Sequence, residues 1–390
     1  MVSLFLTVFI ILLFIALIPY LIRIALFVYS FSITSDATST KKVTNPPFFP
    51  KVSIILPVYN EEKLISRKMN NLLSLSYPKD KVEVIVVDGG STDKTVKLLE
   101  GVEDDRLVLV KNQAREGVTQ ATKDGVRIST GDVAVLTDTE ALFDEDVLLL
   151  LAEDLMDPKV GAITGVEQIV NPKENLVTQM EHTHRSLYNT FSISESKVYS
   201  TYYFRGEFAA IRRELFPMNV DSRKGILDVC ISLSAIRAGY KAKCDPRIKF
   251  YCLATNRSDD RNRQKIQRAT LNQESMLQNR DLLFTPTPFG RVIFPNTFAI
   301  HLVSPLLFLC AVLLIPLVLL ELPWQLVALI CVFIVAVFLP SKTRNILIAF
   351  IQLQLYLLIG LMKATVFGHS RFLKQVKTTR REFDMHSKGV

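Results

Sequence analysis

Residues 82–93 read VEVIVVDGGSTD. Branched apolar side chains at nearly every position of VEVIVV leave no polar face. That pattern suits a strand covered on both sides, as in a parallel sheet. The run stops at Asp88. Gly89-Gly90 then supplies a turn, and Ser91-Thr92-Asp93 supplies candidate caps for a helix. The same unit recurs on either side. The patterning predicts strands at Val52–Leu56, Val84–Val87, Leu107–Val110 and Val133–Leu136, with helices at Glu61–Leu75, Lys94–Glu100 and Val118–Ser129. Strands alternating with helices over short connections predict an α/β fold, Rossmann-like, with a mostly parallel, doubly wound sheet.

Ligands bind such sheets beyond the carboxyl ends of the strands. Each predicted strand here ends in polar residues: Pro57-Val58-Tyr59-Asn60-Glu61-Glu62, Asp88-Gly89-Gly90-Ser91-Thr92-Asp93, and Thr137-Asp138-Thr139-Glu140. Taken singly, each could be a turn or a helix cap. Together they should meet at one edge. The third belongs to VLTDTEALFDED (135–146), a stretch with five acidic side chains directly after an apolar run. Unpaired buried carboxylates are costly, so these should be solvated, paired or bound to a cation. Neither GxGxxG nor GxxxxGK[ST] occurs, which removes the usual glycine cradles for phosphate. Asp138 and Glu140, one residue apart, suit Mn²⁺ or Mg²⁺ completed by substrate phosphates.

The chain has 390 residues, 49% of them hydrophobic, and its mean hydropathy is +0.27. The apolar excess sits at the two ends. Val2–Ile22 carries no charge and is long enough to span a bilayer as a helix. No basic residue precedes it and no cleavage-like site follows, so an uncleaved anchor is expected, with the chain entering the cytoplasm at Arg23. Further spans are expected at 298–320, 322–340 and 346–366, the first two parted by Glu321-Leu322-Pro323. Three crossings there would carry the tail outside. Yet the tail holds Arg371, Lys374, Lys377, Arg380, Arg381 and Lys388, a composition that favours the cytoplasm. The net charge of +8 is read as basic residues facing anionic lipid. No basic stripe with interleaved aromatics points to nucleic acid. Cys230, Cys244, Cys252, Cys310 and Cys331 form no CxxC, and the three in the central domain are expected to be reduced. His182 and His184 lie two residues apart and do not share a helical face, which argues against a metal role.

The motifs VSIILPVYNEE, VEVIVVDGGSTDKT, TDTEALFDEDVL and LDVCISLSAIRAGY resemble those of the family-2 glycosyltransferases with a GT-A fold, over roughly residues 50–255. The resemblance implies that Pro57, Tyr59, Glu61 and Asp88 hold the base and ribose of a UDP- or GDP-linked sugar. It implies that Asp138 and Glu140, in place of the family's Asp-x-Asp, bind Mn²⁺ or Mg²⁺, with Asp138 also on the donor diphosphate. Counting back from Ala238-Gly239-Tyr240 places the family's catalytic base at Asp228, with Leu227 where an acid usually stands. Phe204–Arg213 resembles the acceptor-side segment, including Gly206 and Arg212. Of the processive members' Gln-x-x-Arg-Trp, Arg268 survives as a donor-side candidate, while Lys265 and Ala269 replace Gln and Trp. The lysine that often follows the glycine of the third helix is here Val118, after Gly117.

The expected organisation is an anchor (1–34), a linker (35–50), a GT-A domain (51–255), basic and interfacial helices (256–297), transmembrane helices (298–367) and a basic tail (368–390). The expected activity is inverting, metal-dependent sugar transfer to a membrane-associated, lipid-linked or glycan acceptor. The expected setting is a multi-pass protein of the cell membrane, in contact with its lipids and not with nucleic acid, whose catalytic domain faces the cytoplasm. A processive polysaccharide synthase and a non-catalytic nucleotide-sugar-binding membrane protein are the alternatives.

Overall fold

The computed structural model describes residues 4–33, 48–113, 116–220, 227–326, 341–364 and 379–380. Most of the expected linker, residues 327–340 of the second C-terminal span, Cys331, and the basic tail apart from Thr379 and Arg380 lie outside the described residues. The chain forms two compact units: Leu26–Arg261 with Thr287–Phe289 and Ser370–Val390, and Met1–Ala25 with Asn262–Pro286 and Gly290–His369.

The first unit is built on one eight-stranded sheet. Its strands are β1 (Val52–Val58), β2 (Val82–Asp88), β3 (Leu107–Lys111), β4 (Val133–Leu136), β5 (Leu142–Phe143), β6 (Val160–Ile169), β7 (Ala209–Arg212) and β8 (Lys241–Cys252), ordered β3-β2-β1-β4-β7-β6-β8-β5. Strands β1 to β4 pair in parallel, with Val52 opposite both Val82 and Val133. Strand β7 runs antiparallel to β4 and β6, and β5 antiparallel to β8. The far half is therefore mixed: β7 runs against both of its neighbours, while β6 and β8 pair in parallel.

Ile54, Leu56, Val84, Val86 and Val135 are fully buried in the core between sheet and helices. Each such side chain contributes about 1.5–3 kcal/mol by leaving water. Helix α4 (Val118–Ile128) lies close on the sheet because residue 125 is glycine: a Cβ there would come within 2.6 Å of Ile55 Cγ2. The helix expected at Glu61–Leu75 forms only over Ile65–Leu73, here α2. The reason is local. Asn60 takes φ 55°, and the Glu61 N–H donates to Thr95 Oγ1 at 2.7 Å. That backbone is tied to the loop after β2 before a helix can begin.

The second unit is helical. Leu4–Ser32 and Phe289–Glu321 are long and apolar enough to cross a membrane, and Leu347–Met362 is a shorter apolar helix. The stretch 285–299 is helical from Phe289 onward. Pro295 stands where a wider helical turn (Phe289–Ile293) passes into the α-helix that follows. The break at Glu321–Pro323 occurs as read, with Leu322 extended. Arg23, expected as a flanking charge, is buried and donates to Thr297 Oγ1 at 2.9 Å. Gln273 donates to the carbonyls of His301 (2.8 Å) and Leu357 (2.9 Å), joining three helical segments by polar contacts in an apolar setting.

Candidate active site

Three loops leave the carboxyl ends of β1, β2 and β4, and side chains fasten them to one another. Asn60 receives the N–H of Thr92 on Oδ1 at 2.8 Å, while its own N–H donates to Ser91 Oγ at 2.8 Å. The Asp88 carboxylate accepts from the N–H groups of Gly90 and Ser91, each at 3.0 Å on Oδ2, and from the Ser91 hydroxyl. Asp88 thus shapes its own loop. Gly90, at φ 80°, makes the turn that a side chain would strain. Pro57, next to last in β1, lies opposite Val87, and Tyr59 lies beside Gly89. These residues gather at one edge with Glu61.

The acidic loop after β4 is held from beneath. Helix α2 has an apolar stripe of Ile65, Met69 and Leu72, with Lys68 buried on the same face. Lys68 Nζ donates to Thr137 Oγ1 at 2.8 Å and to the Ala141 carbonyl at 2.6 Å, and lies 4.2 Å from the centre of the Phe143 ring. One turn on, Asn71 bonds both the N–H (2.8 Å) and the carbonyl (2.9 Å) of Phe143. The segment 137–143 is therefore pinned at both ends. Between the pins, Asp138 Oδ1 accepts from the N–H groups of Glu140 (3.1 Å) and Ala141 (3.0 Å). Asp144, Glu145 and Asp146 follow β5; Asp144 accepts from the Tyr251 hydroxyl at 3.2 Å, and Glu145 and Asp146 are exposed.

The edge carries an excess of negative charge. Burial, then the charges of Glu207 and Glu140, push the Asp138 carboxyl up, while Lys68 opposes the shift. Burial likewise pulls the Lys68 ammonium down. Glu140 is raised by burial, with Arg380 and Thr379 acting against it. Burial pushes Glu61 up to about 7 despite Arg380. A cation placed beside such acids would favour their charged form. Among the described residues no three His, Cys, Asp or Glu side chains form a complete metal cage. Two carboxylates from Asp138 and Glu140 fit a cation that takes its other ligands from phosphate and water. The chain also supplies a cation of its own at this spot: Arg380 pairs with Glu61, and its Nε lies 3.3 Å from Glu140 Oε1.

Helix α7 (Leu227–Arg237) brings in Asp228 in its first turn. A Cβ on Gly206 would lie 3.9 Å from Asp228 Oδ2. Thr137 Oγ1 donates to the carbonyl of the next residue, Glu207, at 2.9 Å. Gly206-Glu207 therefore links Asp228 to the acidic loop. Arg212 does not join them. It pairs with Val133 at the start of β4, and its guanidinium donates to the carbonyls of Val160 (2.9 Å) and Leu155 (3.2 Å). Its place is the opposite end of the sheet, which corrects the acceptor-side expectation. Arg268 lies on helix α8 (Ser258–Gln278), in the part that belongs to the helical unit.

Residues 53–217 match the family model described as Glycosyl transferase family 2. The chain carries a family 2 glycosyltransferase domain. A solved mannosyltransferase from Pyrobaculum calidifontis, in complex with GDP-Man and Mn²⁺, superposes with a TM-score of 0.73 at 26% identity, covering 92% of this chain and 99% of that one. The family 2 domain therefore has the GT-A architecture. Among curated relatives, the beta-monoglucosyldiacylglycerol synthase of Nostoc is 31% identical over 42% of this chain and 36% of its own length. The poly-beta-1,6-N-acetyl-D-glucosamine synthase of Staphylococcus aureus is 24% identical over 58% of this chain and 56% of its own. The chain thus spans between a third and somewhat over half of these two relatives.

Sequence reasoning passed over Lys68, Asn71, Glu207 and Arg380. Lys68 had a legible signal, a lone charge on the apolar stripe of a helix. Arg380 had none, since it is one of six cations in a basic tail.

Proposed function

We propose that this protein transfers a sugar from a nucleotide-sugar donor to a membrane-associated, lipid-linked acceptor, with Mn²⁺ or Mg²⁺ and with inversion at the anomeric carbon. The observation that carries this reading is the meeting of Glu61, Asp138 and Glu140 at the carboxyl edge of a GT-A sheet, with Asp228 joined to them through Gly206-Glu207. Pro57, Tyr59, Glu61 and Asp88 shape the pocket for base and ribose. Asp138 and Glu140 hold the divalent cation, which when bound supplies Lewis-acid stabilisation of the leaving diphosphate. Asp228 accepts the proton of the acceptor hydroxyl as that oxygen attacks the anomeric carbon. Leu227 in place of an acid keeps that carboxylate free of a like-charged neighbour in sequence.

GDP-mannose is the first donor to test, because the mannosyltransferase that superposes over nearly its whole length was solved with it. A lipid acceptor is supported by the apolar helices and by the similarity to a glycolipid synthase. The similarity to a poly-N-acetylglucosamine synthase favours a second reading, chain extension, and product length separates the two. The catalytic domain is assigned to the cytoplasm, where nucleotide sugars are made. The experiment is a screen of GDP- and UDP-sugars with purified protein in membrane lipid, with and without Mn²⁺. Cation-dependent transfer to an extractable lipid supports the proposal. Release of a long polymer supports the second reading. Nucleotide binding without turnover on any acceptor supports a non-catalytic protein.

A further inference from the structure

The acidic edge poses a problem of charge. Glu61, Asp138, Glu140 and Glu207 act on one another there, and a nucleotide-sugar diphosphate is itself an anion. One divalent cation offsets only part of that. The usual basic position after the glycine of the third helix is Val118 in this chain. Lys68 is fully buried and engaged with Thr137, Ala141 and the Phe143 ring. Among the described residues, the cation whose charge reaches both Glu61 and Glu140 is Arg380.

Arg380 comes from the far end of the chain, yet Thr379 and Arg380 belong to the same compact unit as β1 and β4. Thr379 is 6% exposed, and its side chain bonds Glu140. The Arg380 guanidinium pairs with Glu61 and Glu140, but its buried Nε and Nη1 lack a hydrogen bond of good geometry. A planar fork of N–H donors is made to meet a carboxylate or phosphate two bonds at a time. Here it is shared between two separate acids instead of meeting one of them two bonds at a time. The ion pair is the kind that a better-matched anion can replace.

We infer, on the basis of the function proposed above, that Arg380 is a donor-binding residue delivered by the C-terminal tail. Without donor it balances Glu61 and Glu140. When a nucleoside diphosphate occupies the edge, the guanidinium exchanges those acids for diphosphate oxygens and frees Glu140 for the divalent cation. Tail and cation thus compete for Glu140, while tail and diphosphate cooperate.

The test uses the full chain in lipid nanodiscs and compares wild type with Arg380→Ala and Arg380→Lys. Mn²⁺ affinity alone is read by electron paramagnetic resonance, and affinities for GDP, UDP and GMP with Mn²⁺ by calorimetry. Arg380→Ala is expected to weaken the preferred nucleoside diphosphate about tenfold or more, to affect GMP far less, and to leave Mn²⁺ affinity equal or higher. Arg380→Lys should recover part of the loss, which also shows that the fold is intact. Unchanged diphosphate binding in Arg380→Ala overturns the inference. So does tighter binding of both Mn²⁺ and diphosphate, which would make the tail a mere plug. Wild type that binds no nucleoside diphosphate with Mn²⁺ overturns the proposed function along with it.

Discussion

The catalytic unit contains two buried groups of charges that look alike in composition and differ in balance. In one, Glu167 and Glu181 meet Arg185, Arg205 and Arg261. Arg185 bonds Glu167 and Glu181, each at 2.7 Å, Arg205 also pairs with Glu167, and Arg261 reaches Glu181 at 3.2 Å. Every carboxylate there has two arginines, and its neighbours hold Arg185 firmly charged. In the other, Glu61, Asp138 and Glu140 outnumber the cations that face them, and all three carboxyls are pushed up. The first cluster is complete and ties α6 (Leu176–Val198) to β6. The second is left unbalanced. Burying charge costs free energy in both, and only the second leaves that cost to be offset by binding.

The comparison breaks most sharply at single residues. Asp138→Asn should cut transfer by about a thousandfold or more, because a cation ligand is worth several kcal/mol at the transition state. Its unfolding midpoint should hold or rise, since a reluctant carboxylate has been removed. Steady-state rates and a thermal melt on the same sample check both halves. Arg185→Ala should do the reverse, costing about 3–5 kcal/mol of stability by stranding Glu167 and Glu181. Chemical denaturation reads that loss, while the folded fraction keeps its KM for donor.

A pH series sharpens the same contrast. Glu61 rises from 4.5 to about 7 on folding, so between those values the folded chain holds a proton that the unfolded chain has released. Stability of the cation-free protein should therefore fall as pH climbs through that window, by roughly 1–3 kcal/mol. Glu61→Gln should flatten the slope, and a rise in midpoint over the window would contradict it. The smallest effect is expected at Lys68. Lys68→Met removes the pin under Thr137 and Ala141 at about 1–3 kcal/mol, and should weaken Mn²⁺ binding with little change at the arginine cluster.

Much of this was legible in the chain. The runs at Val52, Val82 and Val133 have to be covered strands, and the polar loops at their carboxyl ends have to meet at one edge; Leu107–Lys111 is a strand too, but a part-exposed one at the edge of the sheet. The meeting of these loops, with Asp138 and Glu140 on one of them, could therefore be read from the residues alone. Arg212 could not. Its sequence position within the acceptor-side segment says nothing about β7 running antiparallel, which turns Arg212 to the far end of the sheet while Gly206 stays near Asp228. Helix α2 begins four residues later than its pattern suggests, because Glu61 bonds to a loop thirty-odd positions away. Arg380 was beyond reach for the same reason in stronger form. Its contacts with Glu61 and Glu140 join ends of the chain that no local pattern connects.

The most direct test tracks radiolabelled mannose from GDP-mannose into lipid extract, using purified wild type, Asp138→Asn and Asp228→Asn with Mn²⁺ and then with chelator. The account predicts transfer by wild type that chelator abolishes. It predicts loss to background in Asp138→Asn and a fall of about 10²–10⁴-fold in Asp228→Asn, with nucleotide binding retained in the latter. Undiminished transfer in chelator, or by either variant, would contradict it.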